Sequence, residues 1–144
     1  METIWGLVMV GFSLLAWGGQ AISWLRPDRA VRWNLMEAEA SVEPVYWADV
    51  RGEAVWDSLS LWTLAVAGVL LLVDQPAWAY FGLVGGGMYV YFAGRGILTR
   101  MEMQRHGYRV GSEPNVRLGY GLLTVWGVVG LITILVAIGS LPTT

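Results

Sequence analysis

The chain has 144 residues, 56% of them hydrophobic and 14% charged, and a net charge of −2 at pH 7. A soluble domain carries about a quarter charged residues, so this composition points to a single membrane domain with no room for a soluble one. There is no Cys or Lys, and the single His is His106, which excludes thiol and Cys-metal sites, Schiff-base chemistry and a bis-imidazole haem within one chain.

A hydrocarbon core about 30 Å thick needs roughly 20 apolar residues in a helix, and residues 4–25, 54–73, 77–98 and 118–139 qualify. The first stretch has no basic residue ahead of it, a long apolar run and no small-x-small site after it, so it reads as a span and not as a signal peptide. After it, Pro27 suits a first helical turn, and Val31, Leu35, Ala38 and Val42 recur at i, i+4, i+7 and i+11. This spacing predicts an interfacial amphipathic helix over 26–42, with Arg29, Arg32 and Trp33 among the headgroups.

Pro44 restarts a helix expected to run unbroken into span two. It carries Asp49, Glu53, Asp57 and Ser60 at i, i+4, i+8 and i+11, one acidic stripe that ends inside the membrane. The turn Asp74-Gln75-Pro76 is short enough to force spans two and three into an adjacent antiparallel hairpin. Span three is expected to continue past Leu98 to about His106, with Gly107 as a left-handed cap. Ser112-Glu113-Pro114-Asn115 reads as a turn, with Asn115 capping the last helix.

Orientation follows from the basic residues, which are all Arg. Arg26, Arg29, Arg32 and Arg51 lie between spans one and two, and Arg95, Arg100, Arg105, Arg109 and Arg117 lie at the end of span three or in the next loop. The termini and the Asp74–Pro76 turn contain none. The positive-inside rule then gives an all-α, four-transmembrane-helix bundle, N-out and C-out, with connections 26–53 and 99–117 cytoplasmic. Trp5, Trp78 and Tyr80 would mark the outer interface, and Trp24, Trp56 and Tyr120 the inner one. The exclusive use of Arg, with acidic loops, suggests the cytoplasmic membrane of a prokaryote.

Two constellations stand out. All but Gly52, Gly107 and Gly111 of the nineteen Gly fall in the spans. Gly82, Gly85, Gly86, Tyr89, Ala93 and Gly96 share one face of span three, and Gly119, Gly127, Gly130 and Ala137 repeat the idea in span four. Small residues let membrane helices approach closely, so these are expected to be helix-packing positions. The second is a polar layer. Gln20, Asp57, Arg95 and Thr124 lie roughly 7–11 Å from the span midpoints toward the cytoplasm, with Ser60 and Tyr91 at similar depth and Glu53 one turn further out. Asp57 and Arg95 are expected to pair across the hairpin, either as a structural clamp or as part of a cup that binds a headgroup, anion or small ligand.

No charged residue lies in the middle third of any span, which argues against an autonomous ion pump. No catalytic residue, metal site or cofactor is expected, and with no concentrated basic stripe, no nucleic acid either. The leading expectation is a non-enzymatic bundle that binds a lipid or small hydrophobic ligand, or serves as an accessory subunit. Its partners would be membrane lipids and a second copy or another membrane protein. Two alternatives are a small enzyme on lipid-like substrates using Asp57, Arg95 and Glu53, and an oligomeric channel or transporter lined by the Gly-rich faces.

The stretch Arg29-Ala-Val-Arg-Trp-Asn-Leu-Met-Glu37 resembles the Arg/Asn/Glu motif of the four-helix membrane-associated eicosanoid and glutathione metabolism family. The resemblance implies a four-helix membrane fold with a long first cytoplasmic loop. In that family the motif enters span two directly, whereas here about twenty residues intervene, so no residue role carries over.

Overall fold

A computed structural model describes residues 2–141. Six α-helices account for most of them: α1 (Glu2–Leu25), α2 (Pro27–Arg32), α3 (Pro44–Ser60), α4 (Trp62–Leu72), α5 (Trp78–Arg105) and α6 (Glu113–Gly139). A short 3-10 turn, Glu39–Ser41, precedes α3, and no strand occurs among the described residues.

Three stretches are long and apolar enough to cross a membrane: Glu2–Leu25, Pro44–Leu72 and Glu113–Gly139. Helix α5, with 28 residues, has the length but falls outside this set because Gly, Tyr and Arg95 dilute its apolar content. The outer surface of the bundle is apolar: Leu15 is 70% exposed, Leu98 66% and Leu135 63%. Side chains of this kind turned outward along whole helices suit a hydrocarbon solvent, where no apolar area is lost to water.

The long helices pack in the order α1, α4, α5, α6, with α3 continuing α4 and resting on α1. The result is an arc, in which α1 and α6 are the two ends and are not a packed pair. Glycines set its tightest crossings. A Cβ on Gly68 of α4 would lie 2.9 Å from Gly6 O of α1, and one on Gly86 of α5 would lie 2.7 Å from Gly130 O of α6. Between them, a Cβ on Gly85 would come within 2.7 Å of the Leu64 backbone of α4. The interior is filled by Met9, Leu61, Leu64, Tyr89 and Phe92 among others, and a second small cluster of Val42, Tyr46, Val110 and Val116 secures the arginine-rich end.

Side chains from α3, α5 and α6 donate to backbone carbonyls of α1, using the second lone pair that a helical carbonyl keeps. Tyr89 Oη donates to Ser13 O at 3.1 Å, Trp126 Nε1 to Phe12 O at 3.0 Å and Trp17 Nε1 back to Ser58 O at 2.8 Å. Arg51 donates to Ser23 O and Trp24 O near the end of α1, a favourable place for a cation.

Several local expectations change. The interfacial helix over 26–42 shrinks to the six residues of α2. Asn34 turns left-handed with φ +56, and Leu35 N–H returns to Ala30 O at 2.8 Å. That closing motif ends the helix although the apolar periodicity continues. The span-two helix divides at Leu61, whose N–H still donates to Asp57 O at 2.9 Å. Around the break, Ser58, Ser60 and Thr63 hydroxyls donate to Ala54 O, Trp56 O and Ser60 O, a known cause of helix bending. Asp74 (φ +54) closes α4 and Gly107 (φ +80) closes α5 in the same left-handed way. At the start of α6 the capping position belongs to Ser112, while Asn115 lies inside the first turn.

Candidate functional site

Arg95 of α5 does not pair with Asp57. Its Nη2 lies 2.5 Å from Asp49 Oδ1 and its Nη1 2.8 Å from Glu53 Oε1, about two turns and one turn nearer the arginine-rich end of α3 than Asp57. The long guanidinium stem reaches along the helix toward the polar end, as such side chains do in membranes. The Glu53 side chain is only 7% exposed, so this pair is well shielded. Asp57 is 2% exposed, and its Oδ2 has no hydrogen-bond partner among the described residues. Ser60 is buried and bonded within its own helix.

The remaining layer residues separate by direction. Tyr91 is 55% exposed, and Thr124 is exposed with its hydroxyl donating to Tyr120 O at 2.8 Å. Both match the layer in depth but face outward, because depth alone does not fix the side of a helix. Gln20 sits elsewhere, on the wall of a cavity.

The packing glycines also divide. Gly82, Gly85, Gly86, Ala93, Gly96 and Gly130 are buried, and a Cβ on Gly127 would meet Ala93 at 2.9 Å. Gly119 is different: a Cβ there would meet nothing within 4 Å. It lines the same cavity as Gln20.

This cavity, of about 220 Å³, lies in the gap between α1 and α6 on the arginine-rich side of the Trp126–Phe12 contact. Leu15, Ala16, Gly19, Gln20 and Ser23 form the α1 wall, and Val116, Gly119, Leu122, Leu123 and Trp126 the α6 wall. Phe92 and Arg100 of α5 and Tyr46, Trp47 and Val50 of α3 make the floor. Asn34 and Glu37 from the loop after α2 close one end. Asn34 and Asn115 exchange two amide hydrogen bonds, of 3.2 and 3.1 Å, and Glu37 Oε1 accepts from Ser112 N–H at 3.0 Å and Asn115 Nδ2 at 2.9 Å. Glu37 thus sits at the α6 N-terminus, where a carboxylate is favoured. Gly111 (φ +135) makes room for it, since a Cβ there would lie 2.6 Å from Glu37 Oε1.

Arg100 is the one guanidinium on the cavity floor. Its Nε donates to Tyr46 Oη at 3.0 Å and its Nη1 to Gly96 O at 2.8 Å, with its charge 5.7 Å from the Tyr46 ring centre. These contacts fix it in place and still leave Nη2 without a protein acceptor among the described residues. No carboxylate forms an ion pair with it there. The Gln20 amide and the Ser23 hydroxyl, one turn apart on the opposite wall, are likewise free of hydrogen bonds among the described residues. A cavity with both apolar and unpartnered polar groups on its walls offers a candidate ligand site. Arg100, Tyr46, Glu37 and Asn115 escaped the sequence reading because their meeting depends on how a loop folds back beneath the bundle.

No metal-holding group of three or more His, Cys, Asp or Glu occurs among the described residues. No family model, curated protein or solved structure matches this chain.

Proposed function

We propose that this chain is a four-crossing protein of a prokaryotic cytoplasmic membrane, N-out and C-out, that binds a lipid-like molecule in the α1–α6 cleft without chemistry of its own. The observation that carries the reading is the cleft itself. It opens between two helices with lipid-facing apolar surfaces, and it holds unpartnered polar groups at one end. Of the glycine faces offered for a pore, Gly82, Gly85, Gly86, Gly96, Gly127 and Gly130 are packed against neighbouring helices or side chains, and Arg95 and Glu53 of the enzyme reading are bound to one another. Both facts favour a binder over a channel or a catalyst. A second copy or another membrane protein against the exposed apolar surface fits the same picture, with the cleft serving as the ligand seat of an accessory subunit.

The test uses a diazirine-bearing hexadecanol, an uncharged probe, in lipid nanodiscs. Cross-links are expected to concentrate on Leu15, Gly19, Leu122 and Trp126, all on the cleft walls. They should disappear in Gly119→Trp, which fills the cleft from a position with open space around its Cβ. Cross-links spread evenly over the apolar surface, and unchanged by Gly119→Trp, would overturn the proposal.

A further inference from the structure

The geometry points to an oxyanion, phosphate or carboxylate, as the group that the cleft receives at Arg100. This rests on the reading of the cleft as a lipid-like site and names the chemical class that it takes. Arg100 is held from behind by Tyr46 and Gly96, with Nη2 free. A guanidinium fixed in this way presents Nη2 as a pre-oriented donor to an anion, and such charge-assisted bonds are the strong ones. Gln20 and Ser23 of α1 line the same cavity and carry further donors.

The acidic groups near the cavity are already engaged. Glu37 is bonded to Ser112 and Asn115 at the α6 N-terminus, and Glu53 is paired with Arg95. Arg100 is the arginine that lines the cavity, and no carboxylate forms an ion pair with it among the described residues. On the two helix walls, Leu15 of α1 and Leu122 of α6 line the cavity and are exposed on the outer surface, so a hydrocarbon tail can lie against them.

The experiment compares diazirine-bearing hexadecyl phosphate with the alcohol of equal length in phosphatidylcholine nanodiscs. The wild-type cleft is expected to take the phosphate probe about tenfold more tightly, the scale of one charge-assisted contact. Arg100→Gln should remove that preference, bringing the ratio of phosphate to alcohol labelling within the variant to about one. Because Arg100 also supports Tyr46, a second variant keeps it intact. Gln20→Glu sets a carboxylate on the cavity wall, and it too should bring the ratio of phosphate to alcohol labelling within the variant to about one. Competition by phosphatidic acid but not by inorganic phosphate would identify a lipid headgroup as the source, and the reverse a free phosphate; both outcomes support the oxyanion. Equal labelling by phosphate and alcohol in the wild type, or a preference that survives both variants, overturns the inference while the cleft reading stands. Failure of both probes to label the cleft would remove the reading beneath it.

Discussion

Asp57 and Arg95 match in depth, yet the ion pair forms between Arg95, Asp49 and Glu53, and Asp57 Oδ2 is left without a partner. The energetic consequences differ for the two residues. Arg95→Ala would leave the shielded Glu53 and the neighbouring Asp49 uncompensated, and should destabilise the fold by roughly 1–3 kcal/mol. Asp57→Asn removes a carboxylate whose buried oxygen gains no donor, so it should leave stability unchanged or raise it. A double-mutant cycle in detergent unfolding should therefore show clear coupling of Arg95 with Glu53→Gln and much weaker coupling with Asp57→Asn. Coupling to Asp57 as large as that to Glu53 would mean that the Arg95 geometry described above is wrong. The period of the acidic stripe was legible, since Asp49, Glu53 and Asp57 recur at helical spacing on α3. The acidic residue that an arginine reaches was not, because its stem spans more than a helical turn and can extend toward the polar end.

Among the elements, the span-three glycine face could be read from spacing alone, and its members are buried against α4 and α6. The Gly6–Gly68 crossing of α1 and α4 was missed, because one glycine on each helix makes no repeat. Gly119 repeats the pattern on α6 but lines the cleft, where a Cβ would meet nothing within 4 Å. Periodicity reports that a helix has a small face, while only the order of helices around the bundle decides whether a neighbour fills it. A pair of substitutions on α5 separates these cases. In Gly86→Ala the new methyl would lie 2.7 Å from Gly130 O, against backbone that cannot rotate away, and overpacking of this kind costs about 1–3 kcal/mol. In Gly87→Ala the methyl meets nothing within 4 Å, and the gain in helix propensity should stabilise by up to about 1 kcal/mol. The two unfolding midpoints should move in opposite directions from the wild type. If Gly86→Ala were as stable as Gly87→Ala, α5 and α6 would not cross at the Gly86–Gly130 contact.

For the whole molecule, the number of crossings turns on α5. Its average apolarity is the lowest of the four long helical stretches because glycine, tyrosine and Arg95 lower it, yet an average cannot register which way a residue faces. Gly82, Gly85, Gly86 and Tyr89 are buried between α4 and α6, and the lipid-facing side shows Val84, Val90 and Leu98. A helix of 28 residues is about 42 Å long at 1.5 Å per residue, enough for the membrane core. It packs on both α4 and α6, and the four-crossing proposal has it cross with them. The absence of native cysteine makes this directly measurable with Gln75→Cys, before α5, and His106→Cys, after it, both at exposed positions. A membrane-impermeant maleimide added to intact cells is expected to modify Gln75→Cys and spare His106→Cys, with the reverse in inside-out vesicles. The nine arginines predict the sidedness, and the packing of α5 predicts the difference between the two sites. Modification of His106→Cys alone in intact cells would keep the crossing and invert the orientation. Labelling of both sites from one side would take α5 out of the membrane, and the four-crossing proposal with it.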